Sequence, residues 1–358
     1  MQLGLTFDDV CLVPQYNNIP SRTEPDTSTW LTRNIEIGMP LIPANMDTVI
    51  GLQLAEVIIQ NGGVPVFHRF APFETQQEWI TRFDGRMMLS CGINGDDKLF
   101  RLLDEKPLGV CVDVAHGHSE KMHHLIEKIK KQYPHIEVVA GNVCTQMAYQ
   151  DLVNAGADAV KVGIGPGAAC TTRVVTGFGI PQFTAIYECA KIAQKLRVPI
   201  IADGGIRGSR DVVLALAAGA STVMVGKLFA LTQESAAEKK QTTKWVPHQE
   251  LPDGTLTVGD YSLGFPVEEN LAKYRGQAST DFQNEFYGGL KEKTVAEGTD
   301  FWAPVTGTAQ QLIDEILGGL RSGLTYGGAR NIKELQRKAE FMQVTSNYGE
   351  ESNPRRSR

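Results

Sequence analysis

The run Lys161-Val-Gly-Ile-Gly-Pro-Gly-Ala-Ala-Cys170-Thr-Thr-Arg173 gathers the residues of this chain best suited to chemistry. Gly163, Gly165 and Gly167 leave the backbone uncovered, so carbonyls or amides of such a loop can turn inward around an ion or a phosphate. Cys170 ends the loop beside two hydroxyls, Thr171 and Thr172, and the cation Arg173, a setting suited to an activated thiol. The same residues also read as a glycine-rich turn holding a small buried cysteine, because a reactive thiol needs electropositive, partly exposed surroundings that spacing alone does not supply. His116 and His118 do not form a dependable metal-ligand spacing.

Residues of this kind need a frame to hold them. Short apolar runs recur along the chain, each followed by a stretch with helical periodicity, and Gly or Pro marks most joints. The predicted strands are 41–44, 64–67, 88–91, 109–113, 137–140, 159–162, 200–202 and 222–225, with helices such as 119–132, 145–155, 184–196 and 208–217 between them. Alternating β and α units imply a parallel sheet. Eight of them favour a closed (β/α)₈ TIM barrel over an open flavodoxin-like sheet, which usually ends at about five or six strands. A barrel carries its chemistry at the C-terminal ends of its strands. Asn45-Met46-Asp47, His68-Arg69, Asp113 to His116, Gly141-Asn142, Gly163 to Cys170, Asp203-Gly204-Gly205 and Gly226-Lys227 all fall at those ends.

At 358 residues the chain suits one barrel domain spanning 1–358, and 42% hydrophobic residues supply a large core. The net charge of −6 offers no broad field for a nucleic-acid backbone, so phosphate in a ligand has to be held locally. The six cysteines are scattered, without a CxxC pair, which fits a reducing compartment. The N-terminus has no basic and apolar leader pattern, and no stretch reaches the roughly 18 apolar residues of a membrane span, so a cytoplasmic protein that binds neither nucleic acid nor membrane is expected. Residues 236–304 are polar and weakly periodic, as in a functional flap. A closing segment, 305–358, follows, with a helix at 309–321 and a tail from Asn353 expected to fray.

The ordered motifs Leu5-Thr-Phe-Asp-Asp-Val10, Asn45-Met-Asp-Thr-Val49, Asp113-Val-Ala-His-Gly-His118, Ala140-Gly-Asn-Val143, Ala202-Asp-Gly-Gly-Ile206 and Gly318-Gly-Leu-Arg-Ser322, with the Cys170 loop, resemble the IMP dehydrogenase and GMP reductase family. The resemblance runs over nearly the whole chain. It implies a TIM-type barrel, usually a homotetramer, whose cysteine attacks C2 of a purine nucleotide before hydride passes between C2 and a nicotinamide. By position it makes Cys170 the nucleophile and Thr172 a hydroxyl for proton traffic at C2. It implies that the carbonyls of Gly165, Gly167 and Cys170 hold a monovalent cation such as K⁺. Asp203 would bind the ribose hydroxyls, while Gly204, Gly205, Gly226 and Lys227 cradle the phosphate. Asn45, Gly276, Gln277 and Gly298 would complete the substrate site, with Asp113 and Gly117 near the nicotinamide ribose. Asp203 also reads as a helix N-cap, and Glu297 as an exposed flap carboxylate. A nucleotide-binding scaffold without activity is a further alternative, but such a scaffold has no use for a thiol at C2.

Within this family the flap separates two activities. A dehydrogenase hydrolyses the thioimidate, and its flap usually carries an Arg-Tyr pair that activates water. No such pair occurs between Gly276 and Glu297, and Arg275 belongs to the preceding Tyr-Arg-Gly element. The Tyr287-Gly288-Gly289 turn and its distance to Glu297-Gly298 resemble the reductase flap, in which Glu297 and Thr172 would protonate the departing amine. His68-Arg69-Phe70 resembles some bacterial reductases, and 70–88 leaves no room for an inserted regulatory domain. Asp113 to His118, Ile206-Arg207 and Glu351 to Pro354 look more like a dehydrogenase; Ala168, Gln277 and Thr294 depart from the usual serine, methionine and arginine. The expected activity is NADPH-dependent conversion of GMP to IMP and ammonia, the alternative being oxidation of IMP to XMP with NAD.

Overall fold

Seven short parallel strands hydrogen-bond in the order Leu41–Pro43, Thr222–Val225, Ile200–Asp203, Ala159–Val162, Glu137–Val143, Gly109–Asp113 and Met88–Cys91 in the computed structural model, which describes residues 3–95, 97–247 and 264–352. Val110, Cys111, Val112, Val138, Val139 and Ala140 are all buried, as strands enclosed between a barrel interior and a helical layer must be. The expected eighth strand is shorter than its apolar run. Val66 forms a single bridge to Met88; Phe67 N–H donates to the Met88 carbonyl and Met88 N–H to the Pro65 carbonyl, both at 2.9 Å. Pro65 lacks the N–H that a longer ladder needs. The sheet curls into an α/β barrel of the TIM type, with seven regular strands and one bridged segment.

The intervening helices cover the sheet with their apolar stripes. In Glu120–Gln132 the buried side chains are Met122, Leu125, Ile126 and Ile129, the i, i+3, i+4, i+7 pattern of one helix face. Thr145 caps Gln146–Asn154 by accepting from Ala148 N–H. The closing helix runs Ala309–Tyr326, past the arginine at which the sequence suggested it would stop. Gly319 and Gly323 do not terminate it; they form its contact face. A Cβ at Gly319 would lie 2.3 Å from the Ser209 side chain, and one at Gly323 2.8 Å from Val213, so two helices approach closely there.

The flap region is more regular than its composition suggests. Lys239–Pro247 pairs antiparallel with Gly264–Arg275, which pairs with Asp300–Pro304, and the helix Thr280–Tyr287 lies between the last two in sequence. Burial on Gly264–Arg275 is confined to its last residues, Ala272, Tyr274 and Arg275, so the alternation is short, and the pairing partners are distant in sequence. Gly254, Gly259 and the tail from Asn353 lie outside the described residues. Among the described residues no helix is long and apolar enough to cross a membrane.

Candidate active site

The strand ends open into a cleft of about 790 Å³, within the range of roughly 300–1,000 Å³ typical of small-ligand sites. Two strands reach it through glycines. A Cβ on Gly163 would lie 2.1 Å from the Asp203 carbonyl oxygen, and one on Gly204 would lie 3.1 Å from Gly167 N and 2.9 Å from the Pro166 ring. Gly204 and Gly205 also take φ of +91° and +82°, where a side chain is strained. Backbone thus meets backbone at the mouth, bringing Gly204 and Gly205 against the Cys170 loop. Gln182 fastens this junction, donating to the Val162 and Asp203 carbonyls at 2.9 and 3.1 Å.

A buried polar network crosses the floor. Lys161, 2% exposed, donates from Nζ to Asp113 Oδ1 at 2.8 Å and to Asp203 Oδ2 at 2.9 Å, with Met224 Sδ at 3.7 Å. Asn142 donates to Asp203 Oδ2 at 2.9 Å, and Asn45 donates to Asp113 Oδ2 and to Ser90 Oγ, each at 3.0 Å. Burial alone would raise the Asp113 carboxyl, but Lys161, Arg69 and Asn45 together hold it below the usual range. Burial likewise opposes the Lys161 charge, and the two carboxylates outweigh it, so the ammonium stays charged. Arg69 Nη1 donates to the Asp113 carbonyl at 2.7 Å.

Cys170 is exposed at the cleft, with Sγ 3.3 Å from Thr172 Oγ1. Arg173 does not face the thiol: Nε donates to the Ile164 carbonyl at 3.1 Å and Nη2 to that of Ile180, and its stem fills the space beside Gly165 and Gly179. It shapes the loop, which corrects the reading of Arg173 as a neighbouring activating cation. The flap returns to the same loop. Thr171 N–H donates to the Glu297 carbonyl at 2.9 Å, and Thr299 N–H to the Ala169 carbonyl at 2.9 Å. Gly276 and Gly298 press on Ala169, leaving 3.0 and 3.2 Å for a Cβ against its oxygen, so both positions have to stay small.

Flap and barrel also meet through side chains. Arg275, 6% exposed, donates to Asp47, Asp281 and Glu285. Phe282 packs edge-on to Phe70 with centroids 4.5 Å apart. Tyr274 is buried, with its hydroxyl near Gly226; burial, with Asp203 and Cys170 nearby, keeps that hydroxyl un-ionised.

The cleft brings together Cys170, Thr172, Glu297, Asn45, Asp203, Gly204, Gly205, Gly226, Lys227, Gly276, Gln277, Gly298, Asp113, Gly165 and Gly167. Gly117 stands apart, off the cleft wall, donating to the Asn142 carbonyl at 2.8 Å and packed on Gly141. His118 Nε2 lies 2.9 Å from Asp151 Oδ2, and among the described residues no group of three or more His, Cys, Asp or Glu could hold a metal. Sequence reasoning named Lys161 with the Cys170 loop and Asn142 among the strand-end residues but assigned no role to them or to Tyr274. Lys161 had a readable signal, a lone charge inside the apolar strand Ala159–Val162.

The description "IMP dehydrogenase / GMP reductase domain" fits residues 4–246 and 259–355. The inosine-5'-monophosphate dehydrogenase of Chlorobaculum tepidum is 42% identical over 98% of this chain and 95% of its own length, in an alignment of 488 positions. GMP reductase 1 of Homo sapiens is 34% identical over 97% of this chain and 96% of its own, in an alignment of 357 positions. The inosine-5'-monophosphate dehydrogenase of Aquifex aeolicus is 31% identical over 96% and 93% respectively.

Proposed function

This chain belongs to the IMP dehydrogenase / GMP reductase family, and from that premise we propose that it is a GMP reductase, converting GMP to IMP and ammonia with NADPH as reductant. The observation that carries this reading is the flap. It fastens Glu297 to the Cys170 loop through the Thr171–Glu297 backbone bond, and it holds no Arg-Tyr pair between Gly276 and Glu297 to activate water.

In the proposed reaction the Cys170 sulfur adds to C2 of GMP. The C2–N bond breaks, and the amine takes a proton through Thr172 and Glu297 to leave as ammonia. The purine remains as a thioimidate on Cys170. When bound, the reduced nicotinamide supplies one hydride for C2; the C–S bond then breaks, and the thiol and IMP are released. Asp203 accepts from the ribose hydroxyls, and backbone amides at Gly204, Gly205, Gly226 and Lys227 hold the phosphate, as a chain of net charge −6 requires. Asp113 suits the second ribose, with the small Val114 and Ala115 beside it on the cleft wall. The neutral carbonyls of Gly165, Gly167 and Cys170 suit a hard monovalent cation, although that of Gly167 also accepts Cys170 N–H at 3.0 Å. A homotetramer belongs to the same proposal: Tyr16, Val174 and Phe178 are each more than three-quarters exposed in the single chain.

One observation favours oxidation of IMP with NAD as a second reading, the higher identity to a dehydrogenase than to the reductase. The purified protein assayed in both directions separates the two. GMP-dependent NADPH oxidation with release of ammonia is expected. Robust NADH production from IMP, with no NADPH oxidation in the presence of GMP, moves the chain to the dehydrogenase reading.

A further inference from the structure

Three ionised groups are packed under the cleft floor with unequal charge, two carboxylates around one ammonium. Lys161 is 2% exposed, and its Nζ contacts Asp113, Asp203 and Met224, so it has little freedom to meet a ligand itself. Both carboxylates lie within 3 Å of that one nitrogen, hence within about 6 Å of each other at most. Without the cation, two carboxylates would stand that close in a low-dielectric floor, where both cannot remain ionised and in place.

We infer that Lys161 is a positioning residue shared by two ligand subsites, holding Asp203 for the nucleotide ribose and Asp113 for the dinucleotide ribose by balancing the charge of both. The inference rests on the reading of those two carboxylates given above. The other groups facing the trio do not replace Lys161. Arg69 reaches the Asp113 carbonyl, on one side only. Asn142 supports Asp203 with a neutral amide, and the Cys111 thiol is kept protonated by burial. The Tyr274 hydroxyl, with Asp203 and Cys170 near it, brings no positive charge. Neutralising Lys161 therefore weakens both ligands together, and neutralising one carboxylate as well restores the balance for the other.

Equilibrium binding of GMP, and separately of NADPH, to wild type, Lys161→Met, Asp113→Asn and the double variant tests this. Lys161→Met is expected to lose roughly tenfold or more in affinity for each ligand. Asp113→Asn loses NADPH but keeps GMP. The double variant, whose floor has the wild-type net charge, regains GMP binding to within about threefold of Asp113→Asn while NADPH stays weak. A merely structural lysine gives no such selective rescue. The inference is overturned if Lys161→Met binds both ligands normally, or if the double variant binds GMP no better than Lys161→Met. Should Lys161→Met fail to fold, the double variant has to fold and melt higher; equal failure also overturns it. Wild type that binds neither ligand defeats the proposed function itself, whereas wild-type binding without rescue defeats only the role of Lys161.

Discussion

The side-chain amide of Gln277 donates to the backbone carbonyl of Asn45 at 2.9 Å, across 232 residues of sequence, and so ties the flap to the end of the first barrel strand. Gln283 donates in turn to the Gln277 carbonyl at 3.0 Å, and the Asn45 side chain donates to Asp113. The placement of the flap is thereby linked to the polar floor of the cleft. A methionine at 277, the residue common in the family flap, cannot make this bond.

Gln277→Met is accordingly expected to loosen the flap without unfolding the barrel. A neutral hydrogen bond contributes about 0.5–1.5 kcal/mol, so KM for the nucleotide should rise by roughly two- to twelvefold with little change in melting temperature. An unchanged KM shows that the bond is incidental to substrate binding.

Much of this organisation is legible in the sequence, for physical reasons that differ by region. Strands such as Met88–Cys91 and Gly109–Asp113 are enclosed on both faces, and so appear as unbroken apolar runs. The ends of those runs already point to Cys170, Asp203 and Asp113. In the flap strand Gly264–Arg275 the buried residues, Ala272, Tyr274 and Arg275, are confined to its last few positions, too short a stretch to announce the pairing with Asp300–Pro304. Lys161 was named without a role because that role depends on Asp113 and Asp203, 48 and 42 residues away, converging on one nitrogen. Arg173 misled through adjacency in sequence: the helix turn after Thr171 carries its guanidinium to Ile164 and Ile180.

Cys170→Ser should abolish turnover and leave nucleotide binding intact. An alcohol is a far poorer nucleophile than a thiolate near neutral pH, and the exposed side chain makes no packing contribution that the smaller oxygen would forfeit. Intact-protein mass spectrometry should find a nucleotide adduct on the wild type under trapping conditions and none on the serine variant. Near-normal turnover by the variant refutes covalent catalysis at this residue.

Gly226 faces the Tyr274 hydroxyl, and a Cβ built there would lie 2.5 Å from that oxygen but 3.4 Å from the ring carbon bearing it. Its φ of −94° lies outside the left-handed region, and the nearest obstacle to a side chain is the Tyr274 hydroxyl, so the clash dominates the contact cost of Gly226→Ala. Overpacking of this kind costs about 1–3 kcal/mol. Adding Tyr274→Phe removes the clashing atom, so the double variant should melt above Gly226→Ala. Failure of that rescue means that the alanine disturbs something other than Tyr274.

His68 sets a pH dependence of stability. Burial lowers its pKa from 6.5 to about 4, so the folded protein keeps the ring neutral while the unfolded chain takes a proton below pH 6.5. Between those values the unfolded state binds more protons, and stability falls as pH is lowered. The full contribution is present above pH 6.5 and amounts to on the order of 3 kcal/mol, lost by about pH 4. Urea unfolding at pH 7 and pH 4.5 should show a larger difference for wild type than for His68→Gln. Equal differences show that His68 titrates normally.

Glu297→Gln separates the two halves of the proposed cycle. The amide keeps the shape of the side chain and can still hydrogen-bond the purine, but it cannot pass a proton to the leaving amine. A well-placed acid or base contributes about 10²–10⁴-fold, so deamination of GMP should fall by a factor in that range while GMP affinity changes little. Hydride removal from bound IMP by NADP⁺ requires no protonation of an amine, and it should fall much less. Single-turnover absorbance of the reduced cofactor measures that second half directly. Because the Glu297 backbone is fixed to Thr171, the substitution should leave the flap where it is, and a proton-transfer defect should stay confined to the first half. Equal losses in both halves mean that Glu297 orients the base in every complex, and no loss in either means that it is an ordinary flap carboxylate.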